Sequence, residues 1–150
     1  SEIISVLEVY KNCEDFLSLG PVPYASMEMV LEDINHSQKE GGIFCGIYKE
    51  GHMVGIIDFI SCNYNGQPDK AFISLLMIGE KHRRKGLGRE VVRAIEEEIS
   101  RNKDVKTILS GVQVNNKKAI KFWTDLNYKI TGEPQLQADK TTTFDLIKEL

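Results

Sequence analysis

The segment GEKHRRKGLGREVVR, residues 79–93, decides the fold prediction for this chain. It contains six basic and two acidic side chains, a net charge of +4, within a chain of 150 residues whose net charge is −3. The rest of the chain therefore carries −7, the difference between those two values. Positive charge is thus concentrated at one point of an otherwise acidic protein, around the glycine pair Gly86 and Gly88.

The residues on either side of this segment predict a strand before it and a helix after it. Ala71 to Ile78 is an apolar run of strand length, typical of a strand buried on both faces. Gly86 to Ser100 places apolar residues on one side of a helix, namely Leu87, Val91, Ala94, Ile95 and Ile99. The first turn of a helix has unpaired N–H groups and a partial positive charge, and glycine lets a ligand approach them. The pattern therefore predicts a site for a phosphate or pyrophosphate.

Two common nucleotide-binding motifs do not fit this segment. The chain contains no GxxxxGK[ST] string, which excludes a P-loop. The dinucleotide fingerprint begins at Gly86-Leu87-Gly88, but Val91 stands at its third glycine position, and residues 111–114, about twenty positions further on, include no acid. Three cysteines and three histidines also lack metal-ligand spacing, so we expect no metal site and a reducing compartment.

Length and composition favour one globular domain over residues 1–150. The hydrophobic share is 41% and the charged share is 27%, which is ordinary for a folded domain. The longest apolar runs are far shorter than the ~20 residues that span a bilayer, and the start of the sequence has no export leader. We therefore expect a cytoplasmic protein that does not enter a membrane. The negative net charge disfavours a nucleic-acid partner.

The other predicted elements alternate between helices and strands. An apolar run from Ile3 to Val9 predicts an opening strand. The elements after it are a helix from Asn12 to Leu19, a helix from Ser26 to Gln38, strands at Ile43–Tyr48 and Met53–Ser61, a strand at Val105–Val112, a helix from Asn116 to Leu126, and strands at Tyr128–Ile130 and Thr142–Leu146. This order predicts an α/β (α+β) fold with a mixed sheet.

Two motifs in this arrangement resemble the GNAT superfamily of N-acetyltransferases. The signature loop of that family, Arg or Gln, two residues, Gly, one residue, then Gly or Ala, is matched by Arg83 to Gly88. A second motif, Asn-x-x-Ala followed by an aromatic residue and a Gly-Phe-like pair, is similar to Asn116-Lys117-Lys118-Ala119, Trp123 and Asn127-Tyr128. Together the motifs cover residues 71–131, whereas residues 1–60 match only in the order of their elements.

The resemblance implies a mostly antiparallel sheet of six to seven strands, about four helices, and acetyl-CoA as the co-substrate. It implies that the main chain of Leu76, Met77 and Ile78 holds the pantetheine arm. It also implies that the segment Arg83, Arg84, Lys85, Gly86, Leu87, Gly88 and Arg89 holds the pyrophosphate. Asn116 is expected to contact the pantetheine or acetyl region, and an N–H near Ile78 to polarise the thioester carbonyl.

Two positions depart from the family pattern. Many members have an acid or histidine where this chain has Ser74, and serine cannot be a general base. Asp58 on the neighbouring strand is our first candidate for the base, and Glu80 is the second. The usual tyrosine acid is replaced by Trp123, which we expect to pack in the core or against the cofactor. Water or another tyrosine, Tyr24, Tyr64 or Tyr128, then protonates the leaving thiolate.

The resemblance implies direct attack of a primary amine on the thioester, with a small-molecule or peptide acceptor. Residues 16–34 and 62–70 are expected to line its entrance, with the side chains of Tyr24, Met27, Met29 and Tyr64. Glu28, Glu32 and Asp33 favour a cationic amine, but polyamines, amino acids, antibiotics and protein amines all stay open. Alternatives are an inactive acyl-CoA-binding module, or a basic docking patch for RNA or an acidic partner. A homodimer is possible, because the family often forms dimers.

Overall fold

A computed structural model describes residues 2–150 of the chain. The elements, in order, are α1 (Glu2–Lys11), α2 (Glu14–Leu17), α3 (Met27–Lys39), β1 (Ile43–Lys49), β2 (His52–Ile60), β3 (Lys70–Ile78), a 3₁₀ turn (Glu80–His82), α4 (Leu87–Ser100), β4 (Thr107–Gln113), α5 (Lys117–Asp125), β5 (Lys129–Leu136) and β6 (Thr142–Glu149). The predicted mixed α/β fold is confirmed, with six strands and five α-helices among the described residues.

The predicted opening strand is wrong, because the segment from Ile3 to Val9 lies within helix α1. Val6, Val9 and Tyr10 are buried, whereas Ile3 and Ile4 are exposed. The spacing of the buried residues, i, i+3 and i+4, is that of one helix face. The apolar run resembles a strand in the sequence because Ile3 and Ile4 interrupt this spacing. The helix expected from Asn12 to Leu19 is also shorter, a single turn over Glu14–Leu17.

The sheet contains one parallel pair of strands at its centre. Its strand order is β1-β2-β3-β4-β6-β5, and β3 and β4 are parallel whereas all other neighbours are antiparallel. Pairing of β3 with β4 runs from Lys70–Thr107 to Ile73–Ser110 and then stops. Both strands continue beyond that point, to Ile78 and Gln113. The two strands therefore diverge and leave a slot between them.

A β-bulge at Ser74 changes which face of the sheet the side chains of β3 occupy. Phe59 pairs with Ile73 and Asp58 with Leu75, so Ser74 is the extra residue. Ala71 and Ile73 therefore pack on the α4–α5 side before the bulge, while Leu76 and Ile78 do so after it. Ser74 itself is exposed, so β3 is not buried on both faces along its whole length, as the apolar run predicted.

Helices cover both faces of the sheet and form two apolar cores. The larger core joins the sheet to α4 and α5, and Val92, Ile99 and Trp123 are buried in it. The smaller core joins the opposite face to α1, α2 and α3, and includes Tyr10 and Val30. The slot between β3 and β4 therefore connects the two faces of the sheet. No helix among residues 2–150 is both long and apolar enough to cross a membrane.

Candidate active site

The loop between β3 and α4 presents a row of free main-chain N–H groups. Arg84 and Gly86 have positive φ angles of 62° and 81°, which turn successive amides toward one side of the loop. Within residues 2–150, the amides of residues 84–89 donate to no protein group, and Glu90 is the first to bond back, to the Gly86 carbonyl at 3.0 Å. These amides and the positive end of the α4 dipole form a site suited to an anion.

A cleft of about 880 Å³ adjoins this loop and carries an excess of positive charge. We call it the basic cleft, because its charged lining side chains are Arg83, Arg84, Arg89, Lys118 and Lys121 against Asp15, Glu80 and Asp125. Lys121 is paired with Asp125 at 2.7 Å, and Arg83 with Asp15. Arg84, Arg89 and Lys118 make no ion pair within the described chain and are available to an anionic ligand. Lys85 is exposed and lies outside the cleft lining.

Arg83 is engaged by the protein itself and does not extend the anion site. Its Nε donates to the Ile78 carbonyl at 2.7 Å, and its guanidinium binds both carboxylate oxygens of Asp15. This hydrogen bond holds the pKa of Asp15 below its ordinary value. The Arg83 N–H donates to the Glu80 carbonyl at 3.4 Å. Of the amides expected to form the cradle over Arg83 to Gly88, that of Arg83 is thus bonded within the protein, and those of residues 84–88 are free of partners among the described residues.

The open edge of β3 presents main-chain groups of Leu76 and the N–H of Ile78, but not those of Met77, and the Ile78 carbonyl is already bonded to Arg83. The Gly79 N–H donates to the Val54 carbonyl at 2.8 Å. A Cβ on Gly55 would meet the Met77 carbonyl at 2.5 Å, so Met77 also faces β2. Because main-chain direction alternates along a strand, Leu76 and Ile78 face the slot. This geometry does not support Met77 as a main-chain ligand, and its side chain is buried among α1 and α3.

Where β3 and β4 diverge, the slot contains a cavity of about 250 Å³. It shares Leu76 and Phe122 with the basic cleft. Asn116 also lines it, and its Oδ1 caps α5 by accepting from the Ala119 N–H at 3.1 Å. Trp123 forms one wall but is only 6% exposed, in edge contact with the rings of Phe122 and Tyr128. The indole thus belongs mainly to the larger core.

A third cavity, of about 350 Å³, lies on the α3 side of the sheet and shares Ser74 and Leu75 with the slot. We call it the acidic cavity, because Asp33, Glu40 and Asp58 line it while no Lys or Arg does. Asp58 is 8% exposed, and its Oδ1 accepts from the Ser37 hydroxyl at 2.7 Å. Burial raises the pKa of the Asp58 carboxyl despite that hydrogen bond.

The two candidate bases, Asp58 and Glu80, line different cavities. Ser74, whose hydroxyl donates to the Asp58 main-chain carbonyl at 3.0 Å, lines both the slot and the acidic cavity. Glu80 is exposed and lines only the basic cleft and a small neighbouring hollow. A buried carboxyl with a raised pKa next to the slot is the arrangement expected of a general base.

Of the residues expected at the amine entrance, Asp33 and Tyr64 line the acidic cavity. Tyr64 stacks on Phe72 with ring centroids 4.4 Å apart. The others lie outside the cavity lining, namely Tyr24, Met27, Glu28, Met29 and Glu32. Tyr24 is 74% exposed, and Tyr128 is buried with its hydroxyl bonded to Glu96 at 2.8 Å. Tyr64 is thus the member of the three candidate tyrosines that faces a cavity adjoining the slot.

Sequence reasoning did not identify Ser37, Lys118 or Phe122 as site residues. Lys118 and Phe122 are four residues apart, so they lie on one face of α5, and this spacing was a usable signal. Ser37 reaches Asp58 across 21 positions of sequence, and no local pattern indicates it. The three cysteines are free, and no cluster of three or more His, Cys, Asp or Glu in residues 2–150 could hold a metal ion.

Comparison with known proteins adds an independent finding. The model of the acetyltransferase (GNAT) family matches residues 6–128 of this chain. A curated relative, spermine/spermidine N(1)-acetyltransferase of Bacillus subtilis (strain 168), is 25% identical over 111 residues, which cover 70% of this chain and 68% of that protein.

Solved structures share the fold over nearly the whole chain. An acetyltransferase from Thermus thermophilus superimposes with a TM-score of 0.81 at 20% identity, covering 99% of this chain and 91% of that one. PaiA N-acetyltransferase from Thermoplasma acidophilum, solved in complex with coenzyme A, has a TM-score of 0.68 at 16% identity, with 96% and 91% of the two chains covered. At these identities the likeness establishes the fold.

Proposed function

This chain belongs to the GNAT acetyltransferase family, and from that premise we propose that it transfers the acetyl group of acetyl-CoA to a primary amine. The observation that carries the proposal is the adjacency of the three cavities, which share lining residues. The basic cleft meets the slot at Leu76 and Phe122, and the slot meets the acidic cavity at Ser74 and Leu75. An anionic co-substrate and an amine can therefore approach from opposite faces of the sheet and meet in the slot.

The residues around the cleft suit the shape and charge of acetyl-CoA. The free amides of residues 84–89 suit the pyrophosphate, and Arg84, Arg89 and Lys118 suit the remaining phosphate charge. The open main-chain groups of Leu76 and the N–H of Ile78 suit the amides of an extended arm added beside β3, whereas the Ile78 carbonyl is bonded to Arg83. The co-substrate supplies an acetyl group already activated as a thioester.

The protein's own contribution is positioning and proton transfer. The Ile78 N–H faces the slot and serves as the donor for charge that develops on the carbonyl oxygen. Asp58, with its raised pKa, takes the proton that the amine nitrogen loses as its bond to the acetyl carbon forms. The carbon–sulfur bond breaks, and the departing thiolate takes a proton from water in the slot. Trp123 supplies no proton, because an indole N–H is too weak an acid.

A thermal melt tests the first half of the proposal. At a concentration about 100 times its Kd, acetyl-CoA should stabilise the fold by about 2.7 kcal/mol. For a chain of this size that is a rise of about 5 to 10 °C in Tm. NADH and ATP serve as controls, and Gly86→Glu should abolish the shift by filling the anion site. An equal shift with ATP, or none with acetyl-CoA, would overturn the proposal and favour the basic docking patch.

Release of free coenzyme A in the presence of amines tests the second half. A panel of primary amines, amino acids and peptides should include acceptors that accelerate thiol release, with amide formation confirmed by mass spectrometry. A clear melting shift without release from any amine would instead identify an acyl-CoA-binding module without catalysis.

A further inference from the structure

The two openings on opposite faces of the sheet carry opposite charge. The basic cleft is lined by five Lys and Arg side chains against three acids. The acidic cavity is lined by Asp33, Glu40 and Asp58, with His36 as its other titratable group besides Tyr64. The basic cleft suits an anion. The acidic cavity on the other face has the opposite charge and therefore favours a different ligand, one that carries positive charge.

Asp58 contributes a largely buried carboxylate to the wall of the acidic cavity. The residue is 8% exposed, and its Oδ1 is bound by Ser37. The nearby Ser74 hydroxyl donates to the Asp58 main-chain carbonyl, so Oδ2 is left without a hydrogen bond from any described residue, although Asp58 belongs to a cavity wall. A carboxylate oxygen in a cavity wall that the protein leaves free can accept a hydrogen bond from the amino group of a ligand.

The aromatic pair beside Asp58 provides an apolar wall with acids around it. Tyr64 and Phe72 are stacked with an interplanar angle of 6°, and both line the acidic cavity. The carboxylates of Glu40 and Asp58 line the same cavity as this aromatic pair. An aromatic face surrounded by carboxylates suits an aliphatic chain that ends in a cation.

The positions of the acids divide the cavity into an inner and an outer end. Asp58 is buried, and Ser74 and Leu75, which contact it from β3, line both this cavity and the slot, so Asp58 marks the inner end. Glu40 is exposed and marks the mouth. Asp33 is half-buried, with its Oδ2 held by the Tyr10 hydroxyl at 2.7 Å. A volume of about 350 Å³ accommodates a slender aliphatic chain rather than a folded protein loop.

We propose that the acceptor is a linear aliphatic amine that carries a second ammonium group. This inference rests on the proposed acetyl transfer. The reacting nitrogen lies at the inner end, between Asp58 and the slot, and the carbon chain lies along Tyr64. The second ammonium binds at the mouth, between Asp33 and Glu40. The second charge therefore contributes to affinity and takes no part in the acetyl transfer itself.

Calorimetric titration of two amines tests the site without requiring catalysis. Putrescine has two ammonium groups, whereas n-pentylamine has the same number of heavy atoms with a methyl in place of one ammonium. We expect putrescine to bind at least about tenfold more tightly to the complex with coenzyme A, as a charge-assisted contact provides. Equal affinity for the two amines, or no binding of putrescine, would overturn the inference.

Three variants on the same helical segment locate the second ammonium. Glu40→Gln and Asp33→Asn should each reduce the preference for putrescine several-fold, and the new amide in the second variant keeps an oxygen for the Tyr10 hydroxyl. Glu32→Gln is the matched control, because Glu32 is exposed on α3 but lies outside the cavity. The loss should appear in the Kd and KM of putrescine at unchanged kcat. An equal loss in Glu32→Gln would show that general surface charge, rather than a site at Asp33 and Glu40, causes the preference for putrescine.

The same titrations separate this inference from the proposed function. If acetyl-CoA binds but n-pentylamine is acetylated as well as putrescine, acetyl transfer stands and the second-charge site is wrong. If acetyl-CoA does not bind but putrescine is preferred in titrations of the free protein, the acidic cavity stands as a diamine site and the proposed transfer falls.

Discussion

At the scale of single residues, Asp58 combines burial, a hydroxyl donor and a position beside the slot. Asp58→Asn keeps the shape and the bond with Ser37 but removes the proposed base. We expect kcat to fall by a factor of about 10² to 10⁴, the usual contribution of a general base, with unchanged affinity for acetyl-CoA. Steady-state kinetics and calorimetry check this. Glu80→Gln is the matched comparison. A larger loss of kcat in that variant would identify Glu80, rather than Asp58, as the general base.

The raised pKa of Asp58 also predicts how this substitution changes stability. A carboxyl whose pKa is higher in the folded protein than in the unfolded chain favours folding in its protonated form. Its contribution is present below the unfolded pKa of about 4 and is lost as the pH rises through the folded pKa. Asp58→Asn should therefore have a higher Tm than the wild type at neutral pH. The gain in Tm should vanish in melts near pH 3. A gain that is independent of pH would contradict a raised pKa of Asp58 in the folded protein.

Single residues also show where sequence reasoning stops. Asp58 was predictable because a carboxylate stands within the apolar run of a predicted strand. Arg83 was placed in the anion site because it begins the loop motif, yet its guanidinium binds Asp15, 68 positions away in the sequence. Nothing local distinguishes Arg83 from Arg84, since both belong to one basic run. Only tertiary contacts decide which of the two reaches a ligand.

At the scale of elements, the junction of the loop with α4 depends on the positive φ of Gly86. Alanine there would cost about 1 kcal/mol of backbone strain and would restrict the amides of residues 84–89. We expect Gly86→Ala to weaken acetyl-CoA binding about tenfold, equal to about 1.4 kcal/mol. Gly51→Ala in the β1–β2 turn is the matched control, because its φ of 82° equals that of Gly86 within a degree and no atom lies within 4 Å of its Cβ.

Melting curves and calorimetry of the two glycine variants complete this test. Both should lose a similar amount of thermal stability, and only Gly86→Ala should lose affinity for acetyl-CoA. A similar loss of affinity in Gly51→Ala would mean that general destabilisation, rather than the anion site, controls binding.

Elements in which apolar residues recur at a regular spacing were predictable from the sequence. Features that depend on contacts with residues distant in the sequence were not. The helix α4 follows directly from its apolar spacing, and the side chain of Ser26 caps α3 by accepting from the Met29 N–H at 3.1 Å. The prediction of a strand at α1 was wrong because two exposed isoleucines obscured the helical spacing of the buried residues. The bulge in β3 was not predictable, since it requires the register against β2.

At the scale of the whole molecule, the uneven distribution of charge predicts how salt affects the association of the proposed co-substrate, acetyl-CoA. A protein with a uniform net charge of −3 would repel an anionic ligand, and salt would accelerate association. The basic cleft predicts the opposite, because a local field dominates at close range. We expect the association rate of acetyl-CoA to fall as sodium chloride rises from about 50 mM to about 300 mM.

Stopped-flow fluorescence can measure this rate, because Trp123 is the single tryptophan of the chain and lines the slot. Arg89→Gln, in the cleft, should reduce the dependence on salt. Lys103→Gln should leave it unchanged, because Lys103 lies beyond the C-terminal end of α4, about 20 Å from the loop. A rate that rises with salt would contradict the local field.

The whole fold was predictable in outline, because the two motifs and the order of elements identified a mixed sheet with a loop before α4. The meeting of three cavities at β3 was not. It depends on where β3 and β4 stop pairing and on which face each side chain occupies. Neither property produces a periodic pattern of residues in the sequence.

The extra residue at Ser74 has a consequence for comparing this chain with its relatives. If Ser74 were deleted, the ordinary alternation of a strand would place Ile73 and Leu76, then two positions apart, on the same face. Residues 75–78 would therefore keep their faces and their partners in β2. The deletion would remove the local bend and the hydroxyl that lies between the slot and the acidic cavity. A relative that is one residue shorter here can thus keep the same apolar core while lacking the side chain shared by the two cavities.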